Sequence, residues 1–313
     1  MRRLRTGWLL LPESEDATKI HLTFIRPKLE TVIGDLTAKR DRDFEIAVCV
    51  AMDYLDLNSK LTATTEAESD VIAEAISAEV PYFLVIECQA VREGNQVGYD
   101  KIGQIRGNAP SYLDARRQQL FKTYYKIIVG KPNFSDNAKT RAEPDVGLLG
   151  IDALVRLVQM HEQYFLSLNV LQRIFSRIGL IDTNFVDSII RSYLYAEGYF
   201  RRLKIYSLVY AALLENPLSD KSERRKSWTS VDQVIGEVLV YGRIFRLPEL
   251  NGSEVGNSIR DLDNPFFRMV EFKANQVRLS TVSIEALQNF SRFGQDLEKE
   301  IWETLGTLRN LKV

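Results

Sequence analysis

Two neighbouring segments of the chain show strand-like patterns of apolar and polar positions. Residues 81–91 form a short apolar run rich in β-branched and aromatic side chains, which predicts a buried strand. Residues 69–75 show an alternating pattern, and turn-prone residues separate the two segments. The pair therefore predicts an antiparallel hairpin, in which Asp70 opens one strand and Glu87 closes the apolar run of the other.

The rest of the first half alternates between helical and strand-like patterns. The clearest helix is predicted at residues 41–57, where apolar residues recur at three- and four-residue spacing. Further helices are predicted at 28–37, 100–109, 111–122 and from 151, strands at 18–26, 124–129 and 146–149, and an irregular loop at 131–144. This alternation predicts an α/β fold with a sheet between two helical layers.

Beyond about residue 165 the chain shows long helical patterns and few strand signals. Helices are predicted at 170–178, 184–214, 228–245 and from about 281, with a flexible loop at 251–258. We therefore expect an α/β domain at residues 1–164 and a mostly helical domain at 165–313. The apolar stripe of the last helix suits packing within the chain or against a partner.

The composition is that of an ordinary soluble globular protein. Of the 313 residues, 45% are hydrophobic and 27% are charged, which suits one large domain or two of ordinary size. The formal net charge of −1 provides no global attraction for polyanions, so any nucleic-acid surface must be local. No apolar run reaches the length of a membrane-spanning helix, and the apolar stretch near residue 10 is too short for a signal peptide.

The few cysteines and histidines count against several classes of site. Cys49 lies on an apolar helix face and Cys88 in the apolar strand, which is typical of small core residues. Two buried cysteines provide neither a disulfide framework nor a zinc site, and they favour a reducing, cytoplasmic location. Only His21 and His161 are histidines, so zinc hydrolases and histidine-based nucleases are poorly supported.

Asp70 and Glu87 occupy energetically costly positions at the ends of predicted strands. A buried carboxylate must be paired or bind a metal, and two carboxylates from adjacent strands can converge on one hard cation. Gln89 shares the strand face of Glu87, and the backbone carbonyl of Cys88 offers another oxygen. Taken alone, these residues favour a plainer alternative, with Asp70 capping a turn and Glu87 in an ordinary ion pair.

The order of motifs around these acids resembles that of a known nuclease family. Asp70, a connecting segment and then Glu87-Cys88-Gln89 resemble the bipartite motif of the PD-(D/E)xK nucleases, most of all the cleavage domains of type II restriction endonucleases. Residues 44–48 resemble the leading helix of the family, 101–105 the helix after the motif, and 124–130 the next core strand. The likeness covers about residues 35–160 of the chain, and it implies a mixed-sheet, restriction-endonuclease-like α/β/α core there.

The resemblance implies a Mg²⁺-dependent endonuclease, with Mn²⁺ as a substitute, that hydrolyses phosphodiester bonds in double-stranded DNA. It implies a homodimer or a partner subunit as well, with the helical domain at 165–313 serving DNA binding or dimerisation. The residues that it assigns to catalysis are Asp70, Glu87, Gln89 and Lys101, and those that it assigns to the metal are Asp70, Glu87, Cys88 (through its carbonyl) and Glu45. Gln89 would orient the attacking water, while Lys101 or Arg92 would stabilise developing negative charge. A solvated face of the helix is the alternative for Glu45.

Gln89 departs from the family pattern, which has a lysine two places after the acid. A neutral amide orients water but supplies no positive charge. The departure therefore leaves a second interpretation open, a subunit that binds nucleic acid or assembles on an inactivated nuclease fold. A third interpretation is a purely helical interaction protein in which the motif is accidental. Within the endonuclease interpretation, the sequence does not distinguish restriction from transposon-end cleavage, because both use the same chemistry.

Several cationic and polar residues are candidates for contact with DNA, because phosphate contacts are made mainly by such side chains. They are Arg92, Gln104, Arg116, Arg201, Arg202, Lys221, Arg224, Arg225 and Lys226. The alternative for the arginines of the predicted 184–214 helix and for the basic turn at 221–226 is plain solvation on the protein surface.

Overall fold

The chain divides into two compact units. The computed structural model describes residues 9–12, 22–25, 27–62, 69–92, 94–112, 115–196, 198–214, 228–247, 249–263, 268–280 and 292–311. The first unit combines Met1–Glu162 with Leu166–Ile190, and the second combines Gln163–Phe165 with Arg191–Val313. The division therefore differs from the expected boundary at residue 164, since residues 166–190 pack with the first unit.

The first unit alternates strands and helices along the sequence. Its elements are β1 (Leu9–Pro12), β2 (Leu22–Ile25), α1 (Leu29–Ala38), α2 (Asp41–Tyr54), β3 (Asn58–Leu61), β4 (Val71–Ala75), β5 (Tyr82–Ala90), α3 (Asp100–Asn108), α4 (Ala115–Leu120), β6 (Thr123–Lys131), α5 (Asp136–Ala142), β7 (Val146–Gly150), α6 (Ile151–Tyr164), α7 (Leu168–Phe175), β8 (Gly179–Ile181) and α8 (Thr183–Tyr195). A 3₁₀ turn, Ala109–Tyr112, follows α3. No helix in the described part of the chain is long and apolar enough to cross a membrane.

A six-stranded sheet in the order β3-β4-β5-β6-β7-β8 forms the centre of this unit. The strands β3, β4 and β5 are antiparallel to one another, whereas β5 to β8 run parallel. In the β4–β5 hairpin Val71 lies opposite Ile86. Continuing that register by one residue places Asp70 opposite Glu87, as the strand patterns predict.

The two faces of the sheet are covered by different helices. One face packs against α3 and α5 through an apolar cluster that includes Ile72, Phe83, Val85, Ile102, Ile105, Ile128, Ala138 and Leu148. Helix α2 packs against β3, β4 and β5 but contributes no residue to that cluster, so it covers the opposite face. Helix α6 lies beside α2, where Tyr54 donates a hydrogen bond to Glu162 at 2.6 Å. The predicted α/β fold, with a mixed sheet between helical layers, is confirmed.

The second unit is mostly helical. Its elements are α9 (Gly198–Leu214), β9 (Thr229–Ser230), α10 (Val231–Ile244), α11 (Gly252–Asp261), β10 (Val270–Lys273), β11 (Gln276–Leu279) and α12 (Arg292–Asn310). Helix α9 lies at its centre, against α10, α11 and α12, and is buried along most of its length. The strands form a small antiparallel sheet in the order β10-β11-β9.

Two segments predicted to be loops are helices. Helix α5 lies within the expected loop at 131–144, where the Ser135 hydroxyl accepts a hydrogen bond from the backbone N–H of Ala138. Helix α11 replaces the expected loop at 251–258, and there Asn251 accepts from the N–H of Glu254 at 3.0 Å. In both segments a polar residue that suggested a loop is instead an N-cap.

The helix predicted at 184–214 is two helices, α8 and α9. A Cβ at Gly198 would lie 3.0 Å from the ring of Tyr193, so a larger residue there would require that ring to shift. The short strands β3, β8, β10 and β11 were not predicted.

Candidate active site

Asp70 and Glu87 share one face of the sheet, on adjacent antiparallel strands. The register of the hairpin sets them opposite each other, and Ile72 and Val85 of the same face pack against α3. The Asp70 carboxylate accepts a hydrogen bond from the backbone N–H of Cys88, with a donor–acceptor distance of 2.7 Å. One oxygen of Asp70 is therefore fixed against the strand that carries Glu87.

Glu87 is the most enclosed charged group of this region. Its side chain is 0% exposed, and its Oε2 lies 3.2 Å from Nζ of Lys101, which is 25% exposed. Lys101 stands in the first turn of α3, the helix that covers this face of the sheet. The position of α3 thus brings a cation to a carboxylate that the strand buries.

Burial and neighbouring charge set the protonation of this pair. Burial raises the pKa of the Glu87 carboxyl and the nearby Asp70 raises it further, while Lys101 and Ser69 lower it; the pKa stays above its ordinary value. Burial lowers the pKa of the Lys101 ammonium, but Glu87 and Asp70 together raise it above its ordinary value. Each residue of the pair therefore stabilises the charged form of the other.

Two buried oxygens on this face accept no hydrogen bond of normal geometry among the described residues, although the Ser69 hydroxyl lies close enough to Glu87 to lower its pKa. They are Oε1 of Glu87 and Oε1 of Gln89, and the two side chains point to the same side of β5. Leaving a buried acceptor unsatisfied costs about 1–3 kcal/mol. Both atoms are of the kind that a hard cation prefers. The residues present therefore fit a Mg²⁺ or Mn²⁺ ion.

Cys88 lies between these residues, with its side chain on the opposite face of β5. The pKa of its buried thiol is raised well above its usual range by burial, and then by the negative charges of Asp70, Glu45 and Glu87. The thiol is thus protonated and unsuited to bind a metal. Because N–H and C=O of one strand residue point to the same neighbour, the Cys88 carbonyl is directed to the Asp70 side of the strand.

Glu45 does not complete a cluster of ligands. It stands on α2, and its carboxylate pairs with Arg42 one turn earlier in the helix. Within the described ranges of the chain, no group of three or more His, Cys, Asp or Glu side chains is arranged to hold a metal ion. The expectation that Glu45 joins Asp70 and Glu87 as a ligand is therefore not supported.

Ser69 and Tyr112 fix the segment that carries Asp70, and the sequence analysis missed both. The phenol oxygen of Tyr112 accepts a hydrogen bond from the backbone N–H of Ser69 at 2.8 Å. Ser69 is itself fully buried and close enough to Glu87 to lower its pKa. The position of Ser69 directly before Asp70 was the only feature of the sequence that could have pointed to either residue.

The predicted DNA contacts of the first unit lie around this site in different ways. Arg92 is exposed just beyond the end of β5, and Gln104 is half-buried on α3, one turn after Lys101. Arg116 stands on α4, and its side chain lies outside the described residues. Because Arg92 and Gln104 are both at least partly exposed, their contact with DNA remains a prediction, as does that of Arg116.

Arg201 and Arg202 of the second unit are held in internal ion pairs. Arg201 forms two hydrogen bonds to Glu254, at 2.6 and 2.8 Å. Arg202 is buried at 8% exposure and donates to the Phe165 carbonyl at 2.9 Å and to Asp261 at 3.0 Å. The burial and internal pairing of Arg202 disfavour its predicted contact with DNA, and the pairing of Arg201 with Glu254 explains the charge of Arg201 without DNA.

The basic turn predicted to contact DNA, which contains Lys221, Arg224, Arg225 and Lys226, lies outside the described residues.

Comparison with known proteins gives matches only among solved structures. No family model matches the sequence, and no curated protein matches it. Two of the matching structures are of one protein, the restriction endonuclease FokI. The first match has 13% identity and a TM-score of 0.40, and the DNA-bound form has 14% identity and a TM-score of 0.34.

Each match covers 50% of this chain and 34% of the FokI chain. The likeness thus spans about a third of that protein. At this level of identity it concerns the fold alone, so we infer function from the residues of the site.

Proposed function

We propose that the chain is a metal-dependent endonuclease that hydrolyses phosphodiester bonds in double-stranded DNA. One observation carries the proposal: Asp70 and Glu87 face each other across an antiparallel hairpin, and Lys101 lies 3.2 Å from the buried Glu87 carboxylate. Two convergent carboxylates and one cation suit the hydrolysis of a phosphodiester, because they bind a metal and offset the charge of the phosphate.

Asp70 and Glu87 would hold a Mg²⁺ ion, or Mn²⁺ as a substitute, with the Cys88 carbonyl as a further oxygen. When bound, the metal would polarise the scissile phosphate and lower the pKa of an attacking water. Support comes from Oε1 of Glu87, which is buried and accepts no hydrogen bond of normal geometry among the described residues. The Cys88 amide holds Asp70 in place for the same role.

Lys101 has two roles in this proposal. Its ammonium lowers the pKa of Glu87 and so opposes burial, which raises the pKa of that carboxyl. It also remains partly exposed beside the carboxylates, where negative charge develops on the phosphate during reaction. A positioned cation in a partly desolvated site stabilises such charge strongly.

Gln89 would orient the attacking water through its amide. Its Oε1 is buried without a donor and lies on the same side of β5 as Glu87, so a water there would find an acceptor. In this arrangement the strand supplies the polar amide, and α3 supplies the cation that the family pattern places on the strand.

Cleavage of supercoiled plasmid and of mixed genomic DNA, with Mg²⁺, with Mn²⁺ and with a chelator, tests the proposal. Discrete, metal-dependent products from the wild type and from an exposed control variant, Glu143→Gln, are expected. The Glu87→Ala and Asp70→Asn proteins should leave the DNA intact. Cleavage that survives in both site variants would contradict the assignment, and analytical ultracentrifugation would test the proposed homodimer.

The uncharged Gln89 favours a second candidate, a subunit that binds DNA without cleaving it. A folded wild-type protein that binds DNA yet cleaves none with either metal would support this candidate. Calorimetric titration with Mn²⁺ separates the two, since the endonuclease requires metal binding that depends on Asp70 and Glu87.

A further inference from the structure

A cavity opens at the same edge of the sheet as the candidate active site. It has a volume of about 310 Å³ and lies at the carboxyl ends of β6, β7 and β8, lined by residues that follow each strand, among them Asn133, Asp152 and Asp182. The Glu87 end of β5 points the same way, because β5 to β8 are parallel.

The course of the chain explains why a crevice forms there. After β6 the chain enters α5, on the face that α3 covers, whereas after β7 it enters α6, on the face that α2 covers. Connections that leave adjacent parallel strands toward opposite faces open a crevice between the strand ends, and such crevices are the ligand sites of open α/β sheets.

Backbone hydrogen bonds connect this cavity to the strand of the candidate active site. Beyond β5, the N–H of Val97 donates to the carbonyl of Asn133 at 2.7 Å, and the N–H of Ser135 donates to the carbonyl of Val97 at 3.0 Å. Gln96, next to Val97, lines the cavity together with Asn133. The connection that follows Gln89 therefore forms one wall of the cavity.

The charges of the lining disfavour an anionic ligand. Asp152 stands in the first turn of α6, and Asp182 accepts a hydrogen bond from the N–H of Phe185 at the start of α8. The one lysine of the lining, Lys139, is paired with Asp136 at 2.9 Å. Two carboxylates at the helix starts would repel a phosphate, so the cavity suits a neutral polar group.

The remaining lining suits the flat ring and polar edge of a nucleobase. Pro132, Phe134 and Leu180 provide apolar walls, while Gln96 and Asn133 provide amides. Amide side chains pair with adenine and carboxylates accept from the amino group of cytosine. The volume is at the low end for small-molecule sites, about 300–1,000 Å³, which admits one nucleoside and excludes duplex DNA.

We propose that this cavity binds a single nucleobase, either an unstacked base of the bound DNA or the base of a free nucleoside. The idea that the base comes from bound DNA rests on the proposed endonuclease function, whereas the fit of the cavity to a nucleobase does not. In the DNA case the base enters the cavity beside the strand that carries Glu87 and Gln89, and Asn133 and Gln96 contribute to sequence preference.

A variant that fills the cavity makes the test specific. A Cβ at Gly150, which lines the cavity, meets nothing within 4 Å, and the same holds for Gly306 on α12. Gly150→Leu therefore blocks the cavity, and Gly306→Leu is the matched control. Asn133→Ala removes one amide and keeps the backbone bond to Val97. Circular dichroism and melting confirm that each variant is folded.

Two binding arms distinguish the sources, both in a Glu87→Gln background that prevents cleavage. In the first, the four free deoxynucleosides are titrated while amide resonances of the cavity are followed by NMR. In the second, duplexes with 2-aminopurine at successive positions report an unstacked base by increased fluorescence. We expect one position to respond, no response with Gly150→Leu, an unchanged response with Gly306→Leu, and affinity lower by on the order of tenfold with Asn133→Ala.

Binding of free nucleosides, without any fluorescence response in the duplexes, would support the cavity and overturn the DNA source. Duplex binding without a response in either arm would overturn the proposal. If the protein neither binds nor cleaves DNA, the proposed function fails, and the nucleoside arm alone decides the cavity.

Discussion

The ammonium of Lys101 lies 3.2 Å from Oε2 of Glu87, a carboxylate with no exposed surface. The two residues come from different layers of the fold, since Glu87 belongs to β5 and Lys101 to the helix that covers it. Lys101 therefore places a cation beside Asp70 and Glu87, although β5 itself carries no cationic side chain.

Replacing Lys101 should nearly abolish cleavage. In Lys101→Met we expect the rate to fall by about 10²–10³, the usual effect of removing one charge-stabilising group. Because Lys101 lowers the pKa of Glu87, its loss should raise that pKa further and move the onset of residual activity to higher pH. Initial rates from pH 6 to 9 at saturating Mg²⁺ would show both effects. An unchanged rate, with exposed Lys60→Met as the control, would remove Lys101 from the mechanism.

A lysine on the strand should compensate for the one lost from the helix. Gln89 lies on the Glu87 side of β5, so Gln89→Lys in the Lys101→Met protein would return an ammonium to the two acids. We expect the double variant to cleave at least about ten times faster than Lys101→Met alone. Single-turnover rates under one set of conditions provide the measurement. A double variant no faster than the single one would show that the helix position itself is required.

The two replacements of Asp70 separate its structural role from its proposed chemical role. Asp70→Asn retains an oxygen that can accept from the Cys88 N–H, so its stability should match that of the wild type while cleavage is lost. Asp70→Ala also loses this bond, which should lower the free energy of unfolding by about 1–3 kcal/mol. Urea denaturation and plasmid cleavage measure the two properties. Equal stability losses in both variants would contradict this separation.

Glu87→Gln should change how stability depends on pH. The raised pKa of Glu87 means that the folded protein binds its proton more tightly than the unfolded chain does. That contribution is fully present below the ordinary pKa of a glutamate and is lost as the pH rises through the raised value. Glutamine removes this dependence, so the stability of the variant relative to the wild type should increase from pH 4 to pH 8.

Thermal unfolding in chelator tests this prediction without metal. A relative stability that is flat or falls with pH would show that Glu87 is not destabilised by its burial.

Arg202 and Arg201 should differ in their importance to stability. Arg202 is buried and pairs with Asp261, which also accepts from Tyr206, so Arg202→Ala removes a buried member of this charged network. A loss of about 3–5 kcal/mol is expected. The pair formed by Arg201 and Glu254 is partly exposed, and Arg201→Ala should cost about 1 kcal/mol or less. Denaturant unfolding gives both values, and similar losses would contradict this assignment.

Local patterns predicted the central hairpin and the helices that flank it, because each buries an apolar stripe of recognisable period. The same reasoning placed Asp70 beside Glu87, since two adjacent strands with a short connection have few registers. It did not predict β3 and β8, which are too short to show a period. It also missed Ser135 and Asn251 as N-caps, because these residues are equally common in turns.

The contacts that define the site were harder to predict than the strands. The salt bridge between Lys101 and Glu87 depends on where α3 packs, and only tertiary structure determines that position. The burial of Arg202 has the same origin, since its partners Phe165 and Asp261 lie far from it in sequence. The cavity at the ends of β6 to β8 combines three loops, none of which has a distinctive pattern alone.

The distance along the chain between Glu87 and its cation affects how such proteins are found. The ammonium that approaches Glu87 stands 14 residues later in the sequence, on the helix that follows the connection after β5. A search pattern that requires lysine two positions after the acid would pass over a chain built in this manner. A comparison of charge positions in three dimensions would detect it, because the ammonium still lies beside the carboxylates.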